Sequence, residues 1–410
     1  MRMTRRGILV GAGGIIAAYA ADAVSSESAI VAPMQTTHAD GPTGDGRKEP
    51  TTTSCSGARA FNGIYHGDYL NHIAFPMGGI GAGMICLEGT GALSKFSLRN
   101  RPDLASEPKA FSAVSIKGPR RIARVLEGPV PTWKLRPFLP GIEGTYPGGC
   151  WGLPRFRQAT FETRFPFGTV RLKDAGVPLE VELTGWSPFS PGDADNSSLP
   201  VAGIEYRFLN RSSASVDAVF SFNSQNFLAE RHDLFKKTPS DRIRSTANGF
   251  ILYGPGVEDR PWDDASLAAW VDDPKAKVNP AWMRGVDSLQ LVWRDIESGE
   301  SYSRDPLPGD SSPGASIFVP FSVGPGEARS ISLRFAWYAP KSNLFKPADI
   351  PSDSNVVSCN VVGCTDVAGT YQPWYAGRFS SIEKLMDYWQ GNYEPLRQAA
   401  EKFSWARRCV

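Results

Sequence analysis

The chain has almost no excess of charge of either sign: 44 Lys and Arg stand against 42 Asp and Glu in 410 residues. A nucleic-acid binder needs a basic field, and an anionic membrane surface attracts a polybasic patch; neither is present. Histidines are scarce, at four: His38, His66, His72 and His232. No Cys or carboxylate spacing beside His66 and His72 makes a zinc set, so no metal site is expected. The six cysteines include no C-x-x-C. There is no Gly-x-Ser-x-Gly, so nothing signals a nucleophile elbow, although order alone leaves a Ser-His-Asp triad open.

A dinucleotide or nucleotide loop is also missing. Residues 75–102 hold six glycines and close on Asn100-Arg101-Pro102. Counted from Gly79, a G-x-G-x-x-G fingerprint reaches Met84 where glycine is needed; counted from Gly81, it reaches Cys86. The residues before the glycines include Asp68, Asn71 and His72, which do not make a buried strand. No Lys-Ser or Lys-Thr follows, so a P-loop is excluded. No cofactor is expected. Gly78, Gly79, Gly81 and Gly83 read instead as a turn with tight backbone approach between two β elements.

What is abundant is punctuation: 41 Gly and 33 Pro, spread along the chain. That composition suits many short strands joined by turns. Alternation marks strands around Leu93, Phe96 and Leu98, and over 162–172 with a bend at Pro166 and Gly168. It recurs at Leu179, Val181 and Leu183, at Ile204, Tyr206 and Phe208, over 216–222 and over 267–271. The same period places Leu289, Leu291 and Trp293 on one face of a strand, and Ile331, Leu333, Phe335 and Trp337 on another. The expected fold is mainly β, a large antiparallel two-sheet sandwich with a short C-terminal helical segment. Tryptophans such as Trp293 and Trp337 are then core residues rather than sugar platforms. Near the end the period changes. Ser380 or Ser381 caps a helix with Ile382, Leu385, Met386 and Trp389 at i, i+3, i+4 and i+7. Gly391 and Pro395 interrupt the stripe, and Leu396, Ala399, Ala400 and Phe403 resume it, which predicts two short helices or one kinked pair. This apolar stripe needs a surface to pack on, either the sandwich or a helical partner.

The N-terminus reads as an address. Thr4-Arg5-Arg6-Gly7-Ile8-Leu9 fits the twin-arginine export pattern, with Arg5 and Arg6 as the signal pair. The uncharged run over 7–21 is shorter than the roughly 20 apolar residues of a membrane span. Export to the periplasm or medium is expected, an uncleaved anchor being the competing reading. The expected divisions are a signal over 1–32, a polar linker over 33–60, a sandwich over 61–372 and a helical segment over 373–410. After export, Cys359 and Cys364 are close enough in sequence to bridge; two free thiols are the alternative. Asp193 and Asp195 are the tempting carboxylate pair for glycoside hydrolysis, and a hydrogen-bonded turn is the competing reading.

Several stretches, taken together in order, resemble the N-terminal domain of glycoside hydrolase family 116, which includes the non-lysosomal glucosylceramidases, or bile-acid β-glucosidases. They are 165–170 (FPFGTV), 177–181 (VPLEV), 185–191 (GWSPFSP) and 193–201 (DADNSSLPV). The glycine stretch, 287–293 and 375–379 are also similar to that family, so the likeness runs over about 61–403. The resemblance implies a large β-sandwich, with the nucleophile Glu and acid/base Asp in a separate α/α toroid. No residue here inherits a catalytic role from it. The implied partner is a helical catalytic domain, truncated away or on another chain, with a β-glucoside as substrate only in the assembled enzyme. A stand-alone exported carbohydrate-binding or interaction module is a second expectation, and a complete hydrolase using Asp193 and Asp195 a third. In the first, the 78–83 loop approaches the neighbouring domain's sugar pocket.

Overall fold

The computed structural model describes residues 63–118, 121–135, 150–229, 242–283, 288–305, 312–344 and 370–406. The strands are β1 (Tyr65–His66), β2 (Ala74–Met77), β3 (Met84–Glu88), β4 (Leu93–Ser97), β5 (Ala110–Ile116) and β6 (Ile122–Val125). They continue with β7 (Gln158–Arg164), β8 (Phe167–Lys173), β9 (Leu179–Trp186), β10 (Val201–Asn210), β11 (Val216–Gln225) and β12 (Ile243–Thr246). The last are β13 (Gly249–Gly254), β14 (Ala265–Val271), β15 (Lys277–Asn279), β16 (Gly314–Val323) and β17 (Ala328–Tyr338). Four helices, α1 (Ala194–Ser197), α2 (Ser288–Glu297), α3 (Trp374–Arg378) and α4 (Ile382–Ala406), join them.

The strands form three antiparallel sheets. The largest has nine strands in the order β1-β7-β8-β9-β10-β17-β14-β13-β12; the others are β15-β16-β11-β5-β6 and β2-β3-β4. Strand alternation decides which face meets which layer. Ile204, Tyr206 and Phe208 of β10 point into the main core with Val114, Phe220, Phe222 and Phe321 of the five-stranded sheet. Ring pairs cross between the sheets: Tyr206 with Phe220 at 5.0 Å, Phe208 with Phe321 at 4.8 Å, and Phe222 with Phe335 at 5.3 Å. The buried Tyr206 hydroxyl finds Ser112 at 2.8 Å, so its polar atom is not stranded in the core. The three-stranded sheet completes the second layer. It packs where Gly168 and Gly185, paired across β8 and β9, leave a flat inner face, with the Phe75 ring against Gly168.

The odd-numbered positions of β10 point the other way, and α4 covers Val201, Gly203 and Glu205 among them. It crosses the nine-stranded sheet from β12, where Arg244 pairs with Glu383, to β7, where Ser404 reaches the Arg164 carbonyl at 3.5 Å. Leu385, Trp389, Tyr393, Leu396 and Ala400 of α4 are buried with Val201, Ala268, Trp270 and Ala336 of the sheet. Most polar groups at this interface are matched, while Trp389 Nε1 and Arg334 Nε are buried without a hydrogen-bond partner among the described residues. Arg397 grips both Glu205 oxygens at 2.8 and 3.0 Å, with its guanidinium 4.4 Å from the Phe167 ring centroid. Trp186 Nε1 donates to the Tyr393 hydroxyl, which in turn donates to Glu205, each at 3.1 Å. Gln390 accepts from Trp270 Nε1 at 2.8 Å and from Arg334.

Two expectations are corrected here. The stretch around Leu289, Leu291 and Trp293 is helical, in α2, and not a strand. Its buried residues are Val292, Trp293 and Ile296, packed on Phe111, Val219 and Phe318 at the outer face of the five-stranded sheet. The C-terminal stripe is one helix of 25 residues with Pro395 inside it, rather than two pieces. Proline withdraws only the N–H that would bond the Gly391 carbonyl, and burial of aromatic residues on both sides of that gap holds the helix together. Its start is as read: Ser381 supplies the capping position, its carbonyl bonding Leu385 N at 3.2 Å. The stripe's apolar face is spent on the sandwich itself.

Candidate functional site

At one end of the sandwich the connections after β2, β7, β9, β13 and β17 converge. The glycine loop sits in their middle. Gly79 N–H and Ile80 N–H donate to the carbonyls of Leu199 and Ser197 at 2.9 and 2.8 Å, which binds the loop to the turn that precedes β10. Trp337 of β17 lies under it and donates to the Ala82 carbonyl at 2.6 Å. The four glycines do different things. A Cβ at Gly78 would meet the Gly83 carbonyl, one at Gly79 the backbone of Ser198 and Leu199, and one at Gly83 the Ser97 carbonyl. These three permit the close approach the sequence suggested. Gly81 has φ +74° and open space where its side chain would stand. The loop tip therefore faces outward, and Ile80 beside it is 65% exposed.

Asp193 and Asp195 come to this end too, but in structural roles. Asp193 caps α1: its carboxylate accepts from Asn196 N at 3.0 Å and Asn196 Nδ2 at 2.6 Å. These bonds from the Asn196 side chain and backbone hold its carboxyl below the usual range. Asp195 is exposed and lies 3.7 Å from Arg378. Asn196 also accepts from the Tyr388 hydroxyl of α4 at 2.7 Å. The turn thus ties the loop, α1 and α4 together, and the turn reading of the pair accounts for the hydrogen bonds of Asp193. Arg378 lies over Tyr388 at 4.8 Å. Asn100, with φ +55°, links Tyr375 of α3 and the Ala339 carbonyl, at 2.8 and 3.0 Å, to the end of β4.

The other predicted residues lie elsewhere. His66 meets Tyr69 edge-on, and His72 stacks on Trp133 at 5.9 Å. Among the described residues no group of three or more His, Cys, Asp or Glu is arranged to hold a metal. Cys86 and Cys150 are buried and free, and burial pushes the Cys86 thiol up to about 11. Arg5, Arg6, His38, His232, Cys55, Cys359, Cys364 and Cys409 lie outside the described residues.

Sequence reasoning missed two features. The first is a buried charge cluster. Lys134 reaches Glu88 at 2.7 Å and Glu107 at 2.5 Å, and Arg155 reaches Glu127 at 3.1 Å. These groups line a cavity of about 20 Å³, room for one water and no sugar. Burial raises the Glu88 carboxyl, with Lys134 opposing; burial works to lower Lys134, but Glu88 and Glu107 lift it overall. Each carboxylate is already matched to a cation, so the cluster holds structure. The second is the apolar rim of the converging loops. Among the described residues thirteen large apolar or aromatic side chains are exposed. Nine belong to this end: Ile80 and Leu104 on the first loops, Phe165 at the β7–β8 turn, Tyr253 near the end of β13 and Val257 after it. Leu344, Tyr371 and Trp374 lie after β17, and Trp405 sits at the end of α4 near Arg164. No local period marks such a rim, because its members come together only through topology.

A family model described as beta-glucosidase 2, glycosyl-hydrolase family 116 N-term, matches residues 74–396. The chain belongs to this family. The match runs from β2 to Leu396, so it takes in the sandwich, the glycine loop and most of α4 as one unit. It makes the described body an N-terminal domain of the family 116 type. No curated protein matches the chain. Among solved structures it is similar to a putative kojibiose phosphorylase from human microbiome, with 8% identity and a TM-score of 0.33, over 83% of this chain and 31% of that one. A 4-alpha-glucanotransferase from Thermococcus litoralis has 9% identity and a TM-score of 0.30, over 66% of this chain and 40% of that one. A polysaccharide lyase has 11% identity and a TM-score of 0.29, over 61% and 31%. The chain thus spans about a third of the length of the first of these. Among the described residues no helix is long and apolar enough to cross a membrane.

Proposed function

We propose that the family 116 domain of this chain is the accessory sandwich of a β-glucosidase- or glucosylceramidase-like hydrolase and is inactive by itself. A helical catalytic domain docks on the glycine-loop end and supplies the catalytic carboxylates. The observation that carries this reading is the concentration of nine of the thirteen exposed large apolar and aromatic residues at that end. Exposed apolar surface gathered in one place marks an interaction site. In the assembled enzyme the outward tip of the loop, Ile80 and Gly81, lies nearest the partner's sugar pocket. Gly81→Val then lowers sugar affinity of the assembly more than it lowers the stability of the sandwich.

The full chain alone is expected not to hydrolyse an aryl β-glucoside. Turnover that disappears in Asp193→Asn or Asp195→Asn would move the chemistry into the sandwich and defeat the proposal. A second reading, a stand-alone carbohydrate-binding module, is favoured by five exposed aromatic residues at the same end, Phe165, Tyr253, Tyr371, Trp374 and Trp405. Rings so presented stack on sugars, and binding of a β-glucan by the chain alone, lost in Trp374→Ala, would select it. Export through Arg5 and Arg6 completes the proposal. The double substitution Arg5→Lys, Arg6→Lys should leave the precursor in the cytoplasm, and unchanged export would remove that part.

A further inference from the structure

The opposite end of the sandwich holds a groove of about 580 Å³, framed by the end of β5, the start of β11, the end of β16 and the start of β17. That volume is in the range of small-molecule sites. Buried Phe321 and Ala218 give it apolar lining, while three cations and two carboxylates stand around it. The carboxylates are committed. Asp217 accepts the Ser322 hydroxyl at 2.5 Å. Asp273, only 3% exposed, accepts from Arg329 at 2.6 Å and from the Lys275 backbone N–H at 2.9 Å.

The lysines are less engaged. Lys117 meets Glu300 at 3.7 Å, an exposed pair of little strength. The Lys275 ammonium has no ion pair or hydrogen bond among the described residues. Yet its backbone is fixed, since the buried Asp273 carboxylate and carbonyl hold the turn through Lys275 N and Ala276 N. A preset turn thus offers an unspent cation beside an apolar wall, with a hydroxyl and a carboxylate close by. This combination suits a ligand with one anionic group and several hydroxyls.

We propose that the groove binds a hexose carrying a carboxylate or a phosphate, with Lys117 and Lys275 taking the anion and Ser322 Oγ, its proton held by Asp217, accepting from a sugar hydroxyl. The groove lies at the end away from the apolar rim, so this proposal and the docking proposal fail independently. Calorimetric titration of the full chain with glucuronate, glucose 6-phosphate, glucose and inorganic phosphate tests it. Glucuronate or glucose 6-phosphate should bind, the tighter of the two naming the anionic group, with glucose at least about tenfold weaker. Lys275→Met and, separately, Lys117→Met should each weaken that binding about tenfold, near 1.4 kcal/mol, with the melting temperature unchanged. Failure of both sugar anions to bind would overturn the proposal. So would equal binding of inorganic phosphate, or affinity unchanged in both lysine variants.

Discussion

Two apolar surfaces meet at the glycine-loop end, and only one of them is covered. The stripe of α4 is buried on the nine-stranded sheet, with Trp389 and Leu385 fully enclosed and Arg397, Tyr393 and Gln390 matched to polar groups beneath. The loop rim beside it leaves Ile80 and Trp374 exposed. An amphipathic stripe announces that a helix needs a surface, but it does not say whose. Here the surface is the chain's own, so the helix is no argument for a missing partner. The rim is that argument, because no element among the described residues covers it.

The comparison implies opposite responses to substitution. On the covered side, Trp389→Ala should cost about 3–5 kcal/mol, seen as a lower denaturant midpoint; a cost under about 1 kcal/mol would mean α4 is only loosely seated. Away from both surfaces, Lys134→Met provides a charged-core standard, with about 3 kcal/mol lost at pH 7 because buried Glu88 and half-buried Glu107 remain without their cation. Its pH dependence follows from Glu88. In the native protein that carboxyl is raised above its unfolded value, so its own contribution is fully present below the usual carboxylate range and fades as pH rises through the folded pKa. Without Lys134 it is raised further, and the deficit of the variant should shrink as the pH is lowered from 7 toward 4. A deficit independent of pH would assign the loss to packing alone. On the uncovered side, Ile80→Ser and Trp374→Ser should change stability by no more than about 0.5 kcal/mol, since both side chains already face water. A loss of 2 kcal/mol or more, in rough terms, would show that the rim is part of the core and erase the contrast.

Much of this was legible in the sequence where a strand keeps one face buried along its length. Ile204, Tyr206 and Phe208, and Ile331 to Trp337, alternate as read because each faces the main core. Alternation failed at Leu289, Leu291 and Trp293, where Leu289, Val292, Trp293 and Ile296 also fit the helical period. Over so short a run both templates match, and packing of Val292 and Ile296 on Phe111 and Val219 decides. By alternation Glu205 and Arg334 fall on the strand faces opposite the core, yet α4, some 190 and 60 residues on in rough terms, makes both interface groups. In the candidate site, the turn chemistry of Asp193 and the close packing at Gly78, Gly79 and Gly83 were readable from residue type alone. The rim was not, for it is assembled from loops that are far apart in the chain. Neither was the pairing of Lys134 with Glu88 and Glu107, which spans three separate segments.

The central claim is that the rim docks a helical catalytic domain. Mixing the full chain with a separately expressed helical domain of a family 116 β-glucosidase, and following complex formation by sedimentation together with aryl β-glucoside hydrolysis, tests it most directly. A complex that forms with the native chain and is lost with Ile80→Asp plus Trp374→Asp, while Lys173→Glu at the opposite end of β8 leaves it intact, is the predicted result. A complex indifferent to the rim substitutions, or none with the native chain, would contradict the account.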